Sequence, residues 1–538
     1  MTAHQEIDGQ NADYVVVGAG SAGCVIANRL SADPGNSVVL LEAGGADRNP
    51  WIHVPGGFFK LVYHPTLSWG FQSEAEPGLG GRSQTWPRGK TLGGSSSINA
   101  MLYVRGQPDD FNRWQQLGCS GWGFADVLPY FKRAEDQERG ADDLHGEGGP
   151  LAVSDHRAQH PLSDAFVDAA IEAGIPANPD FNGPNQEGVG YYQLTARNAR
   201  RCSTARGYLG KAKGRQNLAI VTEALATGLI IEDGVCKGVR LVDPSGTERV
   251  IRANKEVILA AGSIKSPHLL LLSGIGPAAD LKEHGIEPVL DLPGVGAGLQ
   301  DHLQVKLIYK VEGVPTLNEM FNSWPLRVIE ALKYAFLKRG ALASGPSFCG
   351  GFAKSDPALD LPDLQLHFNP LSGDRPGHLH DFPACSPIVS QLRPESRGRL
   401  WLKTADPQDQ PAMKANYLAE ESDCRTVIAG MRLVKRIMAQ PAMQRIKAAA
   451  YYPVSTLESD DELLAAAREI GITQFHPIST CRMGSDPLSV VNPALKVRGI
   501  EGLRVADASI MPTMISGNTN ASTIMIGEKA SDLILGSA

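Results

Sequence analysis

The stretch from Asp13 to Gly45 restricts the fold of this chain more than any other. It opens with an apolar run, Tyr14 to Val17, whose β-branched residues suit a strand buried on both faces of a parallel sheet. A G-x-G-x-x-G motif follows at Gly18, Gly20 and Gly23. The sequence from Ala22 to Leu30 then predicts a helix. Such a turn lets a pyrophosphate lie against bare backbone at the positive end of a helix.

The next strand strengthens this interpretation. Ser37 to Leu41 predicts a second strand, and Glu42 lies at its tip, 19 residues after Gly23. A carboxylate at that place accepts hydrogen bonds from a ribose diol and does not suit a 2′-phosphate. A glycine-rich turn in an ordinary α/β sheet stays open as an alternative, because the motif alone is weak evidence. Strand, helix and acid together favour a dinucleotide-binding unit.

Length and composition exclude several classes of protein. A chain of 538 residues is too long for one core and indicates two or more domains. The net charge of -7 and the lack of a clustered basic stripe argue against nucleic acid as a partner. No apolar run approaches the roughly 18 residues that cross a bilayer, so we expect no transmembrane segment. Because the first residues do not resemble a secretion signal, we expect a cytoplasmic protein.

Cysteine and histidine spacing gives no metal site. The eight cysteines include no C-x-x-C pair, which favours buried free thiols. His156 and His160 stand four apart, as do metal ligands on a helix, but Pro161 and the lack of a third ligand argue against a metal. We therefore expect none.

Two later segments are typical of a bound flat cofactor. In RGKTLGGSSSIN, from Arg88 to Asn99, bare backbone and hydroxyls could approach a ring and a ribityl chain, although the segment taken alone favours a plain polar loop. From Val257 to Pro277 the pattern of apolar strand, small residues and helix returns. No strand leads into the later glycine loop, PGVGAGLQDH, so we find no second site for a nicotinamide. The substrate would then reduce the bound cofactor directly.

Taken in order, these motifs resemble the glucose-methanol-choline (GMC) family of FAD-dependent oxidoreductases. The resemblance rests on GAGSAG with Glu42, RGKTLGGSSSIN, AAGSIKSPHLLLLSGIGP, FHPISTCRMG, LRVADASIMP and GNTNASTIMIGEKA, which span nearly the whole chain. It implies a mixed α/β fold: a discontinuous Rossmann-like FAD domain with a parallel sheet (residues 11–160, 194–305 and 471–538). An inserted substrate domain, residues 161–193 and 306–470, would contain an antiparallel sheet flanked by helices.

The resemblance also implies FAD as the cofactor. The residues expected to bind it are Gly18, Gly20, Ser21, Ala22, Gly23, Glu42, Ala43, Arg88, Gly93, Gly94, Ser95, Asn99, Ala226, Ala261, Gly262, Asp507, Ala508, Asn518 and Thr519. In choline oxidases a histidine of the glycine-serine loop ties FAD covalently. That position is Ile98 here, so we expect non-covalent FAD.

The family places its catalytic pair at His476 and, in our interpretation, Asn520. Histidine would take the hydroxyl proton of a primary alcohol, Asn520 would stabilise the developing alkoxide, and hydride would pass to flavin N5. The product would be an aldehyde, with further oxidation to the acid left open. The electron acceptor would be O₂ or a quinone or dye.

Departures from the choline-oxidising members shape the expected substrate. Phe348 replaces a carboxylate that those enzymes aim at the trimethylammonium group, and Phe475 replaces a tyrosine. With His367, these residues would form the substrate pocket. They favour an aryl, aliphatic or polyether alcohol over choline.

Rival functions on the same fold are a hydroxynitrile lyase, a fatty-acid photodecarboxylase and a choline dehydrogenase. A nicotinamide-dependent dehydrogenase is opposed by the lack of a second dinucleotide motif.

Overall fold

A seven-stranded, largely parallel sheet organises the first half of the fold. The computed structural model describes residues 11–375, 378–453 and 455–537. The strand Asn11–Val17 pairs in parallel with Val38–Leu41, Tyr14 facing Val38 and Val17 facing Leu41, and on its other side with Glu248–Leu259. From edge to edge the strands are Leu218–Val221, Val38–Leu41, Asn11–Val17, Glu248–Leu259, Val235–Val242 and Leu225–Glu232, with Leu503–Val505 pairing beside Glu248–Leu259.

The glycines of the first turn are required by close packing. Gly18 has φ +100°, and a Cβ there would lie 2.7 Å from the Ala260 carbonyl oxygen. A Cβ at Gly23 would lie 1.8 Å from the Gly18 carbonyl oxygen. The helix Gly23–Leu30 therefore begins directly against the turn, and the predicted strand-turn-helix unit is confirmed.

A second, eight-stranded sheet is antiparallel throughout. Its strands are Ala449–Tyr452, Ile308–Lys310, Ala384–Gln391, Leu364–Asn369, Cys349–Ala353 and Gly188–Tyr191, with Leu303–Lys306 and Ile472–Thr473 joined at one side. Leu364–Asn369 and Ala384–Gln391 are buried at every position, and the long helix Glu421–Met438 packs against Ala384–Gln391.

Together the sheets form the mixed α/β fold predicted from the sequence. The strands Leu303–Lys306 and Ile472–Thr473 lie at the predicted domain limits, and both belong to the second sheet. The domain boundaries themselves stay a prediction.

The remaining elements are short or cover the sheets. The other α-helices are Pro50–His53, Phe58–Leu61, Pro108–Gln116, Phe124–Ala134, Pro161–Glu172, Gly210–Ala212, Gly262–Leu272, Ala278–Glu283, Leu317–Asn322, Trp324–Leu332, Pro441–Gln444, Asp460–Ile470 and Thr519–Leu535. Further strands are Phe71–Gln72, Thr85–Trp86, Glu135–Gln137, Leu151–Val153, Ala196–Arg197, Arg200–Arg201, Ile275–Gly276, Leu290–Asp291, Ala297–Leu299, Gly373–Arg375, His378–Leu379, Gly398–Trp401 and Ala412–Lys414. Among the described helices, none combines the length and apolarity needed to cross a bilayer.

Candidate active site

A cavity of about 750 Å³ runs from the turn of the first sheet to the face of the second. Of the residues predicted to bind cofactor or substrate, those on its wall are Gly18, Gly20, Ser21, Ala22, Glu42, Ala43, Arg88, Gly94, Ser95, Asn99, Ala226, Ala261, Gly262, His367, Phe475, His476, Asp507, Ala508, Asn518, Thr519 and Asn520. Segments separated by hundreds of residues thus meet around one elongated space.

Three predicted site residues do not line this cavity. Gly23 and Gly93 lie behind it and shape the two glycine loops; a Cβ at Gly93 would lie 2.3 Å from Ser97 Oγ. Phe348, which we predicted to line the substrate pocket, does not face the cavity. Its ring packs against His156, with centroids 4.7 Å apart, because successive side chains of an extended chain point to opposite faces and Ser347 takes the cavity side.

At the turn end, backbone N–H groups fix the carboxylate of Glu42, for which we predicted contact with a ribose. Its Oε2 accepts the Ala19 N–H at 3.1 Å, and its Oε1 accepts the Gly44 N–H at 2.8 Å. Burial raises the pKa of this carboxyl to about 7, although the two backbone donors oppose the shift. Hydroxyl donors of a bound ribose would stabilise the same group.

The backbone beside Glu42 has room for a dinucleotide. A Cβ at Gly20 would lie 3.8 Å from the Ala260 carbonyl oxygen, an ordinary van der Waals distance, and Gly20 lies on the cavity wall, so the cavity reaches bare backbone there. A Cβ at Gly94 would lie 2.8 Å from Gly20 Cα, which shows that the two glycine loops touch. The helix Thr519–Leu535 also begins on the cavity wall, with its positive dipole end toward the space. These features fit FAD.

Asp507 supports the wall rather than offering a free carboxylate. Its Oδ2 accepts the Gly262 N–H at 2.8 Å and the Ser266 hydroxyl at 2.6 Å, while Oδ1 accepts the Ser509 N–H at 2.8 Å. It therefore fixes the starts of two helical segments on the cofactor side.

Two histidines meet at the other end of the cavity. His302 Nδ1 lies 3.0 Å from His476 Nδ1, and His302 Nε2 lies 3.0 Å from the Leu392 carbonyl oxygen. Burial lowers the pKa of His302 to about 4 and that of His476 well below its usual value, so both rings are neutral near pH 7.

The hydrogen bonds then assign the tautomers. A carbonyl oxygen can only accept, so the proton of His302 resides on Nε2, and its Nδ1 accepts a hydrogen bond. His476 must therefore donate from Nδ1, which leaves its Nε2 unprotonated. The lone pair of a neutral base is thus held at Nε2 on the cavity wall.

Asn518, rather than Asn520, lies beside this lone pair. Asn518 Nδ2 is 3.2 Å from His476 Nε2, and Gln365 Nε2 donates to Asn518 Oδ1 at 3.2 Å, which orients the amide. Asn520 Oδ1 instead accepts the Ser21 hydroxyl at 2.7 Å, at the dinucleotide turn. The helix start turns these two side chains apart, and the predicted pairing of His476 with Asn520 was wrong.

A buried network holds the backbone at His476. Its N–H donates to Asp301 Oδ1 at 2.7 Å, while the hydroxyls of Tyr417 and Thr473 donate to Asp301 Oδ2. Arg88 Nη1 donates to the Phe475 carbonyl oxygen at 2.6 Å, and Phe475 has a left-handed φ of +68°. Strain of this kind persists only where its surroundings enforce it.

The sequence analysis missed Asp301 and His302. These two residues end the glycine loop PGVGAGLQDH. The only sequence signal for a site there was an acidic residue directly followed by a histidine.

The second sheet forms the substrate side of the cavity with alternate residues of neighbouring strands. They are Gln304, Lys306, Ile308, His367, Asn369, Ser386 and Ile388. Gln474 Nε2 donates to His367 Nε2 at 2.6 Å, which leaves the proton of His367 on Nδ1. That Nδ1 and Ser386 Oγ are buried without a hydrogen-bond partner in the described chain.

Family models for GMC oxidoreductases match residues 12–304 and 394–527. The chain belongs to the GMC oxidoreductase family. As in our interpretation of the sequence, it is an FAD-dependent oxidoreductase acting on alcohols.

Relatives include enzymes named for different alcohols. An alcohol dehydrogenase [acceptor] of Pseudomonas putida is 45% identical over 532 residues, covering 97% of this chain and 95% of the relative. The mitochondrial choline dehydrogenase of Homo sapiens is 43% identical, covering 97% and 89%.

Solved structures share the whole fold. Pyridoxine 4-oxidase from Mesorbium loti superposes with a TM-score of 0.87 at 30% identity, covering 97% of this chain and 98% of that one. A formate oxidase superposes with a TM-score of 0.91 at 28% identity, covering 98% and 99%.

Proposed function

We propose that this enzyme oxidises a neutral primary alcohol to an aldehyde with His476 as the general base. The observation that carries the proposal is the unprotonated Nε2 of His476, held toward the cavity by His302. Because an alcohol hydroxyl has a pKa far above neutrality, its proton must be taken while the C–H bond breaks. A neutral imidazole with a defined lone pair suits that task.

The residues around Nε2 have separate roles. The substrate hydroxyl would donate to His476 Nε2 in the place where Asn518 Nδ2 now lies, and the Asn518 amide would donate to the oxygen as it becomes negative. His302 would receive no proton; it accepts the hydrogen bond from His476 Nδ1 and stabilises the imidazolium as it forms. FAD, when bound, supplies the two-electron acceptor for the hydrogen on carbon.

Charge on the cavity wall favours a neutral alcohol, of the aryl, aliphatic or polyether class. The cation of Lys306 lies on the substrate side. The acidic residues on the wall are Glu42 and Asp507 at the cofactor end and Asp374 and Glu469 at exposed positions. Asp374 already faces His380 Nε2 at 2.7 Å. A quaternary ammonium would therefore lack a buried carboxylate and would meet Lys306.

Choline is the second candidate, because choline dehydrogenases are 43% identical to this chain. Anaerobic mixing of the oxidised enzyme with aryl, aliphatic and polyether alcohols and with choline decides between them. The flavin should bleach with a neutral alcohol and far more slowly with choline. Faster bleaching with choline would overturn the substrate assignment.

Two further outcomes of the same experiment distinguish the rivals. A flavin that stays oxidised with every alcohol would favour a lyase or a light-driven decarboxylase. When air is admitted after bleaching, a rapid return of colour with peroxide would identify O₂ as the acceptor, and a slow return would identify a quinone or dye.

A further inference from the structure

One short segment carries much of the exposed apolar surface. Residues 324–339, which we call the apolar segment, comprise the helix Trp324–Leu332, the π-helical turn Lys333–Leu337 and two basic residues. Seven of the sixteen large apolar side chains exposed in the described chain lie here, including Trp324 at 70%, Phe336 at 79% and Leu337 at 64%. Such a concentration marks an interaction site.

Polar contacts attach this segment to the protein. Glu330 is the one buried residue of Trp324–Leu332. It accepts from Lys333 Nζ at 2.7 Å and from the Ala341 N–H at 3.1 Å, and the Tyr334 hydroxyl donates to the Ala199 carbonyl oxygen at 3.0 Å. An acidic residue faces inward and apolar residues face outward, the reverse of a helix that packs on a core.

The charge of the segment is opposite to that of the chain. It contains four cations, Arg327, Lys333, Lys338 and Arg339, and one acid, Glu330, which leaves +3 against -7 for the whole protein. Cations beside exposed aromatic and aliphatic side chains match anionic headgroups above acyl chains.

The apolar segment follows directly on a helix that packs beside the active-site cavity. In that helix, Leu317–Asn322, Leu317 belongs to one apolar cluster with Leu371, Phe59 and Leu379, all three of which line the cavity. Tyr63, which also lines the cavity, is 40% exposed, so the cavity wall reaches the surface at this residue.

We propose that the apolar segment docks the enzyme on an anionic phospholipid bilayer, with the cavity mouth facing the lipid. An apolar substrate or electron acceptor dissolved in the bilayer would then meet the cavity directly. The segment lies on the surface rather than spanning it, since Trp324–Leu332 has nine residues. A second copy is disfavoured because a symmetric contact would bring four cations against four.

Vesicle sedimentation of the holoenzyme tests this docking. Vesicles of phosphatidylcholine containing phosphatidylglycerol should pellet the enzyme at low salt, and added salt should weaken binding. Pure phosphatidylcholine should pellet much less. Wild-type enzyme that stays in the supernatant with anionic vesicles would overturn the proposal.

Matched variants localise the contact. Trp324→Ser with Phe336→Ser should weaken vesicle binding by at least about tenfold, since two large side chains no longer enter the interface. The control pair Val289→Ser with Leu488→Ser removes two apolar side chains elsewhere that are 53% and 49% exposed, and it should leave binding unchanged. Oxidation of a water-soluble alcohol with a soluble dye should be the same in every variant. Equal loss of vesicle binding in both variant pairs would contradict the assignment. It would also be contradicted if the wild-type enzyme did not bind vesicles but formed a dimer that Trp324→Ser with Phe336→Ser abolished.

Discussion

At the residue scale, the proposed mechanism depends on which nitrogen of His476 carries the proton. The Leu392 carbonyl fixes the tautomer of His302, and His302 in turn fixes that of His476. His302 is thus a positioning residue, remote from the proton that the base takes.

Replacing His302 should therefore slow flavin reduction while FAD stays bound. In His302→Leu the acceptor for His476 Nδ1–H is lost, and we expect a fall in the reduction rate of about tenfold to a hundredfold. His302→Asn keeps an acceptor near the Nδ1 position and should recover most of the rate. Anaerobic stopped-flow absorbance measures both variants, and equal losses in the two would contradict the tautomer role.

The pH profile gives a second prediction. Only unprotonated His476 can act as base, so kcat/KM should rise with pH through its pKa and then level off. Burial holds that pKa well below 6.5, and His302 and Arg88 lower it further. The acid limb should therefore lie below pH 6.5, with a flat profile at neutral pH. A limb centred above pH 7 would show either that another group is the base or that His476 is protonated at neutral pH.

The two asparagines of the helix start should give different defects. Asn518→Ala removes the donor beside His476 Nε2 and should lower the flavin reduction rate by about tenfold or more, with little change in FAD content. Asn520→Ala removes the contact with Ser21 and should weaken FAD retention instead. Rates and the flavin-to-protein absorbance ratio separate the effects. If Asn518→Ala kept the wild-type rate of flavin reduction and Asn520→Ala lowered it, the originally predicted pairing of His476 with Asn520 would be favoured instead.

At the element scale, the helix Thr519–Leu535 is joined to the dinucleotide helix Gly23–Leu30 through one acid. Glu528 is fully buried and accepts from Arg29 and Arg133 at 2.7 Å each and from the Tyr208 hydroxyl at 2.7 Å. The helix Thr519–Leu535 begins on the cavity wall, and Gly23–Leu30 begins directly after Ala22, which lies on that wall, so this buried contact positions two sides of the cavity.

Neutralising that acid should destabilise the fold. Glu528→Gln removes the carboxylate that pairs with Arg29 and one of the two that pair with Arg133, which keeps Asp532 at 2.9 Å, and we expect the free energy of unfolding to fall by about 3 kcal/mol. Glu421→Gln is the control: it removes an exposed pair with Arg425, and the expected loss is within about 0.5 kcal/mol. Urea denaturation of the two holoenzyme variants makes the comparison. Similar losses would contradict a structural role for Glu528.

The local secondary structure could be predicted from the sequence, but contacts between residues far apart in the chain could not. The unit from Tyr14 to Glu42 follows from the glycine spacing and the apolar runs, because each choice is made by neighbouring residues. The partners of His476 depend on how two sheets approach, and residue 302 lies 174 positions away. Asn518 and Asn520 differ only in the direction that a helix start gives them, which the sequence pattern does not specify.

At the scale of the whole molecule, the cavity exists because the parallel sheet supplies the cofactor side and the antiparallel sheet supplies the substrate side. The strands Leu303–Lys306 and Ile472–Thr473 pair with each other in the second sheet, and His302 and His476 lie beside them. In the proposed mechanism the base lies at this side of the second sheet, between a bound FAD and an incoming alcohol.

Single-turnover reduction of FAD in His476→Ala tests the central claim most directly. The variant should purify yellow, with FAD content like that of the wild type, and its flavin should bleach about 10² to 10⁴-fold more slowly with the preferred alcohol under anaerobic conditions. Bleaching at the wild-type rate, with FAD fully retained, would show that His476 is not the base.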